Sequence, residues 1–92
     1  MMHEFVKYPD KTEVVFSDIR KKDNGEEYII VCFERPTEHG FDTIIFELPS
    51  YNIVRQEGNY SEEEINTFKQ IVECGAAFFF ETSREEGGIQ SA

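Results

Sequence analysis

The sequence predicts an α+β domain: an antiparallel β-meander of three to four strands with one long C-terminal helix packed on one face. Three observations carry that expectation. An apolar period of about 3.6 residues runs through 62–84 and sets Ile65, Phe68, Val72, Ala76 and Phe79 on one stripe. Three runs rich in β-branched and aromatic residues precede it, at 12–20, 28–35 and 41–48. Asn24-Gly25 lies between the first two runs, and that dipeptide is the preferred centre of a two-residue type I′ hairpin turn.

The 92 residues are expected to form one domain spanning 1–92. Residues 3–8 alternate apolar and charged, and form either a short edge strand or an ordered arm within 1–10. Pro9-Asp10 ends them, since proline suits the first corner of a type I turn. Val14, Val15, Phe16 and Ile19 define the first firm strand. The second, 28–35, is apolar on both faces at its middle, as a central strand is. After a loop at 36–40, Ile44, Phe46 and Leu48 alternate along the third until Pro49. Residues 51–54 add a short strand or pack as an irregular arm.

Ser61 and Glu64 form a capping box, which places the start of the helix at Glu62. Glu62, Glu63 and Glu64 face the positive end of its dipole. Gly75 lies on the apolar stripe, where glycine implies a close approach to another backbone. Phe78-Phe79-Phe80 spans more of the helix surface than one sheet covers, so either the 51–54 arm or a second chain is expected to cover the flank. Beyond Arg84, two glutamates and Gly87-Gly88 favour a frayed tail over 85–92.

A turn on Asn24-Gly25 pairs Phe16 with Phe33 and Ile19 with Ile30. One sheet face then carries Val14, Phe16, Ile29, Val31 and Phe33, continued by Ile44, Phe46 and Leu48 if the 36–41 loop is even. The helix docks there. The other face carries Val15, Ile19, Tyr28, Ile30, Cys32 and Ile45 among Ser17, Glu34, Thr43 and Glu47. No predicted element covers it, so these six residues are the candidate partner or dimer face.

The net charge is −10, from 19 acids against 9 bases. Phosphate backbones and anionic membranes are bound by basic surfaces, so neither nucleic acid nor membrane is an expected direct partner. The N-terminal residues lack the basic and apolar regions of a signal peptide, and no run approaches a membrane span, so the expected location is cytoplasmic. Cys32 and Cys74 carry no flanking redox or zinc motif and are expected as reduced, at least half-buried structural thiols. His3 and His39 have no second ligand at metal spacing. Asp18 interrupts the helix-facing row, beside Arg20 on the same strand. No nucleophile pair, metal cluster or phosphate loop stands out, so neither catalytic residues nor a cofactor or metal is expected.

The expected role is therefore a small, acidic, non-enzymatic interaction or regulatory protein that binds itself and possibly a second protein. The alternative is an acidic mimic of nucleic acid that inhibits a DNA- or RNA-binding protein or a nuclease. A small enzyme with an unidentified site comes third.

Overall fold

The structure is a computed structural model that describes residues 2–91, with side chains for 2–85. Among the described residues six strands form one antiparallel meander: β1 (Met2–Lys7), β2 (Glu13–Ser17), β3 (Arg20–Lys21), β4 (Glu27–Thr37), β5 (Gly40–Leu48) and β6 (Asn52–Glu57). Their order across the sheet is β1-β2-β4-β5-β6, with β3 continuing β2 along the edge of β4. One helix, α1 (Glu62–Ser91), follows. The class is α+β, with more strands than the three to four expected. The increase comes from 3–8 and 51–54, which both join the sheet, and from a break that splits the first firm strand. α1 continues through Ser91, so the helix end expected beyond Arg84 is corrected.

The helix-facing row agrees with the sequence pattern. Val14 pairs with Phe33, Phe16 with Val31, Phe33 with Ile44, Val31 with Phe46 and Ile29 with Leu48. These eight residues are all buried, and Phe68, Val72 and Phe79 of α1 seal them. Phe33 stacks on Phe68 with ring centroids 4.2 Å apart. The loop between β4 and β5 is the even pair Glu38-His39, since Thr37 faces Gly40.

The first hairpin is built differently from the expected two-residue type I′ turn. Gly25 N–H donates to Lys22 O, and Lys22 N–H to Glu26 O, both at 2.9 Å. Asp23, Asn24 and Gly25 thus form a three-residue loop, with Gly25 alone in the left-handed region at φ 88°. That is a type I turn closed by a glycine bulge. Arg20 consequently faces Tyr28. A second irregularity sets Asp18 and Ile19 together opposite Ile29, and the register beyond it slips by one more residue. Two slips restore the faces of Val14, Val15 and Phe16. Ile19, lying between them, moves to the helix side and packs against the core. Its expected place on the other face is therefore corrected.

Further corrections follow from β1. Its strand bulges between Glu4 and Val6. Phe5 lies over Phe78 and Phe79, with ring centroids 5.5 and 5.0 Å away. The N-terminal strand thus flanks the phenylalanine triplet in place of the expected 51–54 arm, which joins the opposite edge of the sheet as β6, and Phe78 stays half exposed. His3 turns inward beside Phe16, and its Nε2 lies 2.6 Å from Asp18 Oδ1. Asp18 therefore meets a histidine from the neighbouring strand. Gly75 makes room for a side chain of its own helix: a Cβ there would lie 3.0 Å from the Phe79 ring. Cys32 is buried and Cys74 exposed, and both are free thiols. The exposure of Cys74 corrects the expectation that both would be at least half-buried.

Candidate functional site

Two places on the molecule have the makings of a binding surface. The first is assembled where the β1–β2 turn meets the start of α1. Tyr8 N–H donates to Thr12 O at 2.8 Å and Lys11 N–H to Tyr8 O at 2.9 Å. Asp10 Oδ1 accepts from Thr12 N–H at 2.9 Å. The expected type I turn at Pro9 is present, with Lys11 held in the left-handed region at φ 73°. On the helix side both halves of the capping box form. Glu64 N–H donates to Ser61 Oγ at 3.1 Å, and Ser61 N–H to Glu64 Oε1 at 3.0 Å.

Arg35 links the two. It stands on the helix side of β4, opposite Asp42 of β5. Its Nη2 and Nε donate to Asp42 Oδ2 at 2.8 and 3.1 Å, and its Nη1 to Glu64 Oε2 at 2.7 Å. Nη1 also lies 3.5 Å from Asp10 Oδ2. The guanidinium sits over the Tyr60 ring, 4.5 Å from its centroid. Tyr60 OH meets Thr12 Oγ1 at 3.4 Å. Asp42 is the buried member, with 6% of its side chain exposed against 23% for Arg35. Its other oxygen accepts from Asn59 N–H at 2.9 Å. Gly58, at φ 90°, is required for that approach, because a Cβ there would collide with the Asp42 carboxylate.

Each charge in the cluster is held in its ionised form. The Arg35 guanidinium and the Asn59 N–H keep the Asp42 carboxyl below its ordinary range. Glu64 is lowered by the Ser61 N–H and by Arg35. Asp10 is lowered by the Thr12 N–H and by Arg35. The Arg35 pKa is raised by Asp42 first and then by Glu64. Beside the cluster, between the turn and α1, lies a cleft of about 520 Å³.

The second place is the sheet face turned away from α1. Val15 pairs with Cys32 and Cys32 with Ile45, while Ile30 pairs with Glu47. Val15, Tyr28, Ile30 and Ile45 are half-buried around the buried Cys32. Five of the six expected residues thus come together, and Ile19 does not. Burial and the neighbouring Glu34 carboxylate push the Cys32 thiol up to about 12, which favours its neutral form. Lys22 rims the patch, with Nζ 2.8 Å from Glu47 Oε1 and 5.7 Å from the centre of the Tyr28 ring.

The strand registers give this face an unusual share of the positive charge. Lys7, Arg20, Lys22 and Arg55 lie on it with Glu4, Glu13, Glu26, Glu34, Glu47 and Glu57. Four of the chain's 9 bases are therefore here, and the face is much closer to neutral than the whole molecule at −10.

Among the described residues no group of His, Cys, Asp and Glu could hold a metal ion. No helix among them is long and apolar enough to cross a membrane. No family model, curated protein or solved structure matches the chain.

Proposed function

We propose that this is a non-enzymatic interaction protein that pairs with a second copy of itself through the outer face of its sheet. One observation carries the reading. The apolar patch of Val15, Tyr28, Ile30 and Ile45 lies in the middle of a broad sheet face that carries four basic and six acidic residues. An apolar centre with a polar, charged margin is the usual anatomy of a protein interface. A two-fold axis lets one patch serve both subunits. The acidic remainder still repels, so added salt strengthens the pair by screening.

Light scattering at micromolar concentration tests this. The native chain is expected at twice its 10.8 kDa mass and Ile30→Glu at the monomer mass, with both remaining folded. A native protein that is monomeric at low and high salt refutes the reading.

The acidic mimic of nucleic acid is the alternative. It draws on the exposed Glu62, Glu63, Glu73, Glu81 and Glu85 of α1. Lys69 and Arg84 interrupt that row, which weakens it as an imitation of a phosphate ladder. A basic partner displaced from the protein by added DNA would bring this reading forward.

A further inference from the structure

The cleft between the β1–β2 turn and α1 has a composition of its own, independent of the outer sheet face. Its volume of about 520 Å³ falls within the range of roughly 300–1,000 Å³ common for ligand sites. Tyr8, Pro9, Phe68 and Ile71 give it apolar walls, and its only charged lining groups are the carboxylates of Asp10, Glu63 and Glu64. Arg35 lies outside the lining and holds two of these from behind, through Glu64 Oε2 at 2.7 Å and Asp10 Oδ2 at 3.5 Å. Glu63 is exposed and makes no ion pair among the described residues. Three carboxylates, Asp10, Asp42 and Glu64, surround one guanidinium, and Glu63 adds another to the lining, so the site keeps an excess of negative charge.

The geometry points to an extended segment of a partner protein that places an arginine or lysine side chain, flanked by apolar residues, in this cleft. The apolar walls suit the aliphatic stem, and the carboxylates suit the charged head. Arg35 and the capping box hold Asp10 and Glu64 in position beforehand, which lowers the entropy lost on binding. The openness of the site favours a peptide over a small free amine. Pro9, Asp10, Ser61, Glu63 and Thr67 are all exposed, whereas small ligands are usually enclosed over most of their surface.

Amide chemical-shift mapping on the full chain tests the inference. The probe is a capped pentapeptide of alanine, leucine, arginine, leucine and alanine, beside a twin with glutamine at the centre and beside spermine. The arginine peptide is expected to shift residues 8–12 and 61–71 saturably, and the glutamine twin to bind at least about tenfold more weakly. Glu63→Gln weakens the arginine peptide several-fold. Thr67→Trp, which fills the cleft from an exposed helix position, abolishes binding without lowering the melting temperature. Absence of shifts at millimolar arginine peptide overturns the inference. Equal response to the glutamine twin overturns it, because charge is then irrelevant. Equal response to spermine, or shifts spread along Glu73 and Glu81, overturns it as unspecific attraction.

Discussion

The turns at residues 8–12 and 22–26 share one hydrogen-bond pattern and have opposite surroundings. In each, the first residue exchanges bonds with the fourth and fifth, at 2.8 to 2.9 Å. In each, the third residue's side chain, Asp10 or Asn24, accepts from the fifth residue's N–H at 2.9 Å. In each, the fourth residue is left-handed, Lys11 at φ 73° and Gly25 at φ 88°. The second turn stands in solvent, and a Cβ on Gly25 would touch nothing within 4 Å. The first is tied through Asp10 to Arg35 and through Thr12 to Tyr60, and it walls the cleft. Local chemistry makes both turns, but tertiary contacts hold Lys11 in a conformation that glycine adopts without cost.

Breaking the tertiary anchor should have the largest effect. Arg35→Met leaves the buried Asp42 carboxylate without its cation and should lower stability by about 2–4 kcal/mol in chemical denaturation. Hydrogen exchange should quicken at Lys11 and Thr12 while Gly25 and Glu26 stay unchanged. Equal quickening at both turns would mean that the anchor is not specific to the first.

Acid should act through the same anchor. Asp42, Glu64 and Asp10 all have lowered pKa values in the folded protein. Their contribution is complete above the unfolded carboxyl range of about 4 and is lost as pH falls through the lower folded values. The native protein should therefore weaken steadily below about pH 4. Arg35→Met should show a shallower decline over that interval, and an identical slope would separate the three carboxyls from Arg35.

The left-handed positions themselves should give smaller effects of opposite sign. Gly25→Ala is expected to cost about 1 kcal/mol, since nothing compensates a Cβ at that φ. Lys11→Gly should raise stability by about 0.5 kcal/mol by removing the same strain. Melting temperatures of the pair check this, and a loss on Lys11→Gly would show that the lysine side chain contributes more than its backbone costs.

These turns also explain what the sequence did and did not disclose. Asn24-Gly25 suits both a two-residue turn and a three-residue turn with glycine third, and the dipeptide alone does not choose between them. The three-residue form and the bulge at Asp18-Ile19 each slip the register by one. Together they leave Val14, Phe16, Val31 and Phe33 on the expected face, while Ile19 moves to the helix side and Arg20 to the outer face. β1 and β6 were ambiguous because an edge strand has one neighbour and a weak burial pattern. The Arg35 cluster was missed although a signal was present. Arg35 extends the row of Ile29, Val31 and Phe33, and Asp42 extends that of Ile44, Phe46 and Leu48. Opposite charges continuing two paired apolar rows imply a buried ion pair at that end of the sheet. His3, which meets Asp18, lies on β1, whose pairing the local pattern does not reveal.

Self-association through the outer face is tested most directly by nuclear Overhauser contacts in an equal mixture of isotope-labelled and unlabelled chains. Cross-subunit contacts are predicted among the methyl groups of Val15, Ile30 and Ile45, and they should disappear in Ile30→Glu. Ile19 should give none, because it packs beneath the sheet against the core. A monomer at the concentrations used would contradict the account. So would a dimer whose contacts arise only from Phe5 and Phe78, or from Ile53 and Val54 on the exposed edge strand.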